Sequence, residues 1–255
     1  MLTPYSNIIS VTTLAFDTDY QAVLNYATSQ GYTLPSASQQ VKQNKLVLDL
    51  KAGGIWSKLD TFAVFATDGS SNFALIDWKR LSQYTAVNSP TFTANQGFQG
   101  NGTSSYIDTN WNPNTQGVNY TLNNACFGGW RYNSVASVVS RFMGATIEIT
   151  IREDNNLVHR VNSNVNASSF LTGSGTGLRI LNRTNSSDVQ MIVDNTLQTS
   201  TQNSLVIPNS KLHLLNRGDG TSFSVSQISI ALAGSNLVTE RTDLYNAFNT
   251  YITSI

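Results

Sequence analysis

Apolar residues recur with the period of a helix over the first sixty positions, and with the spacing of short strands after that. Tyr20, Val23, Leu24 and Ala27 fall at i, i+3, i+4 and i+7, the face of a helix that Asp17 caps and Gly31 ends. Pro35 opens a second helix, running to Asp49 or Lys51. Its apolar side is Val41, Leu46, Leu48 and Leu50, and Gly53 and Gly54 stop it. Residues 55–59 read as one more helical turn. At Thr61 the period changes, with strands predicted at 61–66 and 72–78 around the turn formed by Thr67, Asp68, Gly69 and Ser70. The stretch 87–111 holds three short strand pieces, at 91–93, 97–99 and 105–108. Asn and Gly residues that tolerate positive φ separate them. Further strands are predicted at 120–122, 125–132, 136–142, 146–152, 157–162, 178–183, 189–194, 197–200, 211–216 and 222–233. A last helix spans 239–253, with Leu244, Tyr245, Phe248 and Ile252 along one side.

Many short strands with turns between them indicate a mainly β, antiparallel sandwich, not a parallel sheet with crossover helices. The expected organisation is an N-terminal arm over 1–16, a small N-terminal helical segment over 17–60, and a sandwich over 61–255 closed by the C-terminal helix. A chain of 255 residues is long enough for one large β domain. Charged residues make up only 12% and the net charge is zero, with Asn, Ser, Thr and Gln in their place. That balance supplies no basic field for nucleic acid and no polybasic face for an anionic membrane. Apolar runs are too short for a membrane-spanning helix, and no basic region followed by an apolar stretch marks a signal peptide. The single cysteine, Cys126, excludes an intrachain disulfide and a Cys-based zinc site. Within the apolar run 125–128 it reads as a small buried hydrophobe.

Several stretches together resemble bacteriophage and phage-derived virion proteins. They are Ile55, Trp56, Ser57, Lys58, Leu59 and Asp60; the run 72–79; Asn88, Ser89, Pro90, Thr91 and Phe92; the run 97–109; and the closing 244–251. The likeness covers residue 45 to the end. It implies a concanavalin A-like jelly roll of the laminin-G type, in a structural or carbohydrate-binding part of a tail, fibre or spike. It implies a virion location, other virion proteins as partners, a homo-oligomer with a trimer favoured, and a host-surface glycan as ligand. The helical segment would then dock the module onto another particle protein. The family supplies no catalytic signature.

Glu148 and Glu153 have the outer spacing of the Glu-x-Asp-x-x-Glu strand of laminarinase-type glycosidases, but Thr150 replaces the central Asp. Retaining chemistry needs the two carboxyls ~5 Å apart. Residues five apart on a plain strand face opposite sides. Asp108, Asn110 and Asn112 resemble the start of a calcium loop, yet Pro113 and Asn119 occupy the positions where an EF-hand needs Gly and a bidentate Glu. Two readings stand there: an Asx-rich turn, or a single Ca²⁺ on the sandwich rim. His159 and His213 lie in separate strand-like runs and suggest no metal site. Arg217, Gly218 and Asp219 spell an adhesion tripeptide where a hairpin turn wants those residues anyway. Gly173, Gly175 and Gly177 lack the Lys-Ser/Thr of a phosphate loop.

Sugar sites on sandwiches are shallow, with an aromatic ring beneath a pyranose face and amides reading the hydroxyls. Trp111, Trp130 and Tyr132, with Asn110 and Asn112, are the residues placed to do this, while Trp56 and Trp78 read as core. The expectation is a non-enzymatic virion structural protein, without a cofactor, that displays a glycan-binding sandwich. Two alternatives stay open: a free lectin-like adhesion module, and a degenerate jelly-roll glycoside hydrolase using Glu148 and Glu153.

Overall fold

A computed structural model describes residues 15–133, 141–146, 149–152, 159–167, 175–218 and 220–255. Helix α1 (Thr18–Ser29) begins where the Asp17 carboxylate accepts the Asp19 N–H, and ends where Gly31 takes φ +70°. Helix α2 (Ala37–Ala52) is capped by Ser36, whose hydroxyl accepts the Gln39 N–H. A 3₁₀ turn (Trp56–Lys58) leads into β1 (Leu59–Val64). One-turn α3 (Ser71–Ala74) precedes β2 (Ile76–Asp77), β3 (Ser82–Gln83), β4 (Thr85–Val87), β5 (Thr91–Thr93), β6 (Gly97–Gln99) and β7 (Tyr106–Asp108). After one-turn α4 (Pro113–Gln116) come β8 (Ala125–Asn133), β9 (Arg141–Ala145), β10 (Ile149–Arg152), β11 (Gly177–Arg183), β12 (Asp188–Val193) and β13 (Thr196–Thr201). Strands β14 (His213–Leu214) and β15 (Gln227–Gly234) precede α5 (Arg241–Ser254).

The strands form an antiparallel sandwich, as expected. The larger sheet has eight strands, in the order β13-β12-β11-β8-β15-β6-β5 with β1 also paired to β15. The smaller has five, ordered β10-β9-β14-β7-β4. Between the sheets lies a core that includes Phe65, Phe98, Ile107, Trp111, Phe127, Phe142, Leu181 and Leu214. A second core covers the other face of the large sheet. There Tyr20, Val23 and Leu24 of α1, Leu46, Val47 and Leu50 of α2, and Leu244 and Phe248 of α5 pack on Phe62, Ile180, Ile192, Ile230 and Leu232. The molecule is therefore three-layered: helices, large sheet, small sheet.

This changes several expectations. The apolar faces of α1 and α2 are buried within the chain, against the large sheet. On α2, Leu46 and Leu50 are buried as expected, but Val41 (59% exposed) and Leu48 (47%) point to solvent. The inward positions are filled instead by Val47 and by the glutamines Gln39 and Gln43. Gln43 accepts from the Tyr20 hydroxyl and donates to Thr67 Oγ1 and Tyr251 Oη, so its burial is satisfied. The strand expected at 72–78 is a helical turn and a two-residue strand, because the Ser70 hydroxyl caps the Phe73 N–H. The strand expected at 120–122 is a turn closed by the Thr121–Asn124 bridge. Asp60 holds that loop in place: its carboxylate accepts the successive N–H groups of Val118, Asn119 and Tyr120.

Candidate functional site

The outward face of the five-stranded sheet carries a cluster of half-exposed polar and aromatic side chains. Register builds it. Thr85 of β4, Asp108 of β7, His213 of β14 and Gly144 of β9 stand side by side in one row across four strands. Side chains alternate along a strand, so Ile107 and Leu214 enter the core while Tyr106, Asp108 and His213 face out. Gly144 adds no side chain beside His213. The Tyr106 and His213 rings stack with centroids 4.6 Å apart and planes 21° from parallel, and Phe223 lies 6.2 Å from Tyr106.

Next to this half-exposed aromatic pair is a polar cluster. Lys211 Nζ donates to Asp108 Oδ2 at 3.0 Å and to Asn110 Oδ1 at 2.8 Å. Asp108 Oδ1 accepts the Asn110 N–H at 2.7 Å. Asn110, in the left-handed region at φ +53°, donates its amide to Gln83 O and Thr85 Oγ1. The backbone beneath is tied down twice. Thr109 bonds Leu212 O through both its N–H and its hydroxyl, which sets Lys211 and His213 against β7. Arg80 donates to Thr109 O and Asn110 O, and through Nε to the fully buried carboxylate of Asp77 at 2.6 Å. Ammonium, carboxylate and amide beside the Tyr106–His213 stack offer donors, acceptors and half-exposed ring carbon within one area. Those are the parts that recognise a polyhydroxylated ring.

The structure separates most of the residues picked out from sequence. Trp111 is fully buried in the inter-sheet core, with its ring edge-on to Tyr120 at 5.7 Å, so it is not an exposed platform. The pairing of Leu212 N–H to Trp111 O turns it inward. Trp130 is buried on the helix side of the large sheet, stacked on Tyr245 of α5. Tyr132 is exposed at the end of β8. Asn112 caps α4 and donates to Asn209, which turns it away from Asp108 and Asn110. Asp108, Asn110 and Asn112 therefore do not converge on one point in this structure. The two oxygens that converge take the Lys211 ammonium, and the third residue is elsewhere. Among the described residues no group of three His, Cys, Asp or Glu side chains is placed to hold a metal ion. Glu148, Glu153, Gly173 and Asp219 lie outside the described residues, as do residues 1–14 of the arm. His159 is buried and its carbonyl accepts from Gln202.

A groove of about 350 Å³ also runs between α2 and α5, past Asp49, Asp243, Asn246 and Thr250. It has no aromatic side chain in its lining, so it offers a sugar no apolar surface to stack on.

No protein-family model matches the chain, and neither does any curated protein. Solved structures do. A mutant of Trypanosoma rangeli sialidase displaying trans-sialidase activity aligns at TM-score 0.54 and 13% identity, over 82% of this chain and 39% of that one. The same organism's sialidase in complex with 2,3-difluorosialic acid, a covalent intermediate, aligns at 0.51 and 13%, over 84% and 40%. Domain 4 of AbnA, a GH43 extracellular arabinanase from Geobacillus stearothermophilus in complex with arabinotriose, aligns at 0.41 and 14%, over 74% and 98%, a likeness too distant to carry an argument. This chain thus spans about two fifths of the length of the sialidases it matches. The solved structures that share the fold are a sialidase and its mutant, which runs against the expectation of a non-enzymatic chain, while at such identity the likeness shows the fold alone. The chain is a mainly β, antiparallel sandwich, and part of the sialidase chain shares that fold.

Proposed function

We propose that the chain is a glycan-recognition module that binds sugar on the outward face of its five-stranded sheet. The observation that carries this is the Tyr106–His213 stack beside Asp108, Asn110 and Lys211 on one exposed row. A pyranose ring laid on the aromatic pair would bring its hydroxyls to the carboxylate, amide and ammonium. The sialidase fold neighbours support a carbohydrate ligand, and the sequence resemblance to phage proteins supports a virion as the setting, with other virion proteins as partners. Glycan-array binding followed by titration of the best hit tests it. Tyr106→Ala should weaken binding by about tenfold or more, the loss expected for one stacking contact with its hydrogen bonds, with the far-ultraviolet spectrum unchanged. Equal affinity in the variant, or no binding across neutral and acidic glycans, overturns the proposal. Following reducing ends in the same incubations shows whether bound glycan is also cleaved. Mass spectrometry of purified phage particles tests the setting.

A further inference from the structure

Lys211 stands where the sequence suggests a cation. Asp108 and Asn110 each aim one side-chain oxygen at its ammonium, at 3.0 and 2.8 Å. Each of these residues is held by other bonds in the orientation that does this. Asp108 Oδ1 is engaged by the Asn110 N–H, which leaves Oδ2 for Lys211. The Asn110 amide nitrogen is engaged by Gln83 O and Thr85 Oγ1, which leaves its Oδ1 for Lys211. The Arg80 guanidinium fixes the carbonyls of Thr109 and Asn110 from below. The lysine stem is placed by its neighbour, since Leu212 is bonded on both sides, to Thr109 and to Trp111. An ammonium has three N–H donors, so two protein acceptors leave one free, and the Lys211 side chain is half exposed. Calcium would ask for six to eight oxygens at about 2.3–2.6 Å, and the pair of oxygens here lies at hydrogen-bond distance instead.

We propose that Lys211 is a tethered cation for this face: it holds Asp108 and Asn110 in place as a calcium ion would, and offers its third N–H to a ligand oxygen. The ligand part rests on the glycan reading above. It makes recognition independent of calcium and insensitive to chelators. Because Asp108 cancels the lysine charge, the centre is locally neutral and suits sugar hydroxyls.

Lys211→Met keeps the stem and removes the ammonium. Two measurements divide the question. In ¹⁵N-labelled protein, the side-chain amide signals of Asn110, assigned with Asn110→Asp, should stay in place when millimolar CaCl₂ or EDTA is added to the wild type, and should shift in Lys211→Met. Glycan affinity should be the same in CaCl₂ and in EDTA, and about tenfold or more weaker in Lys211→Met, as for the loss of one hydrogen bond from a charged donor. Calcium-dependent movement of the wild-type Asn110 signals overturns the inference. So do Asn110 signals left unmoved by Lys211→Met. If no glycan binds the wild type, the glycan proposal fails by itself, and the Asn110 signals still decide whether Lys211 takes the cation's place.

Discussion

Asp77 is the residue on which the support of the candidate face depends most. Its side chain is completely buried and accepts from the Phe62, Lys79 and Arg80 N–H groups, the Thr61 hydroxyl and Arg80 Nε. Removing one partner of such a pair leaves the other charge and several N–H groups without acceptors. Asp77→Ala should therefore destabilise the protein by about 3–5 kcal/mol in urea unfolding. In protein that remains folded, the Asn110 loop should lose amide-exchange protection before the strands do. Unchanged stability would show that Arg80 finds another acceptor. Of the face itself, Asp108 and Asn110 were legible in the sequence, because an Asx-rich turn announces its own polarity. Lys211 was not: it lies 103 positions from Asp108, and only sheet register brings the two together. Trp111 misled for a related reason. A tryptophan between two asparagines gives no local signal of which way its strand turns it, and pairing with Leu212 turned it inward.

Among the elements, α5 tests what the helix layer contributes. Its buried positions are Leu244, Ala247, Phe248 and Tyr251, and the Phe248 ring lies 6.1 Å from that of Phe62 on β1. Phe248→Ala should cost about 3–5 kcal/mol, the usual loss for a buried phenylalanine. Val41→Ser on α2 should change stability by no more than about 0.5 kcal/mol, because Val41 is mostly exposed. A comparable loss for both variants in urea denaturation would mean that the α2 stripe is covered in solution. Apolar periodicity located α1 well, since each of its inward residues is apolar. It placed the inward side of α2 only in part, because Gln39 and Gln43 take inward positions and satisfy their amides on Tyr251, Thr67 and Asn95. A count of apolar residues cannot see a buried glutamine whose partners sit on other elements. Turn chemistry did better: β5 and β6 fall at the expected residues, between Asn and Gly turns.

At the scale of the whole molecule, the sandwich was readable from the density of short strands, and the closing helix from an apolar side suited to pack back on the sheet, whereas the place of α1 and α2 was not. Nothing local says that the outer face of a sheet will also be covered by helices that precede it. The two cores share the large sheet and should melt together, and the buried phenols offer a way to drive that transition. Burial pushes the hydroxyls of Tyr20, Tyr84, Tyr120 and Tyr251 above the ordinary tyrosine range, and burial likewise raises the Cys126 thiol. In the unfolded chain these tyrosines ionise near pH 10 and the cysteine at about 8.5. The folded state keeps its protons there, so it binds more protons than the unfolded state and stability falls as pH rises. Each such group costs about 1.4 kcal/mol per pH unit above its unfolded pKa. Four tyrosines together would remove a typical stability of about 5–15 kcal/mol within one to three pH units. The protein should therefore hold its fold through pH 9 and then unfold in a single steep step above about pH 11. Tyrosinate absorbance from the buried set should rise together with loss of the near-ultraviolet circular dichroism of Trp78, in the helix-side core, and Trp111, in the inter-sheet core. Ionisation of all ten tyrosines through pH 10 with the dichroism intact would mean that the four buried hydroxyls reach water in the native state. Two separated steps would mean that the helix layer leaves the sandwich before the sheets part.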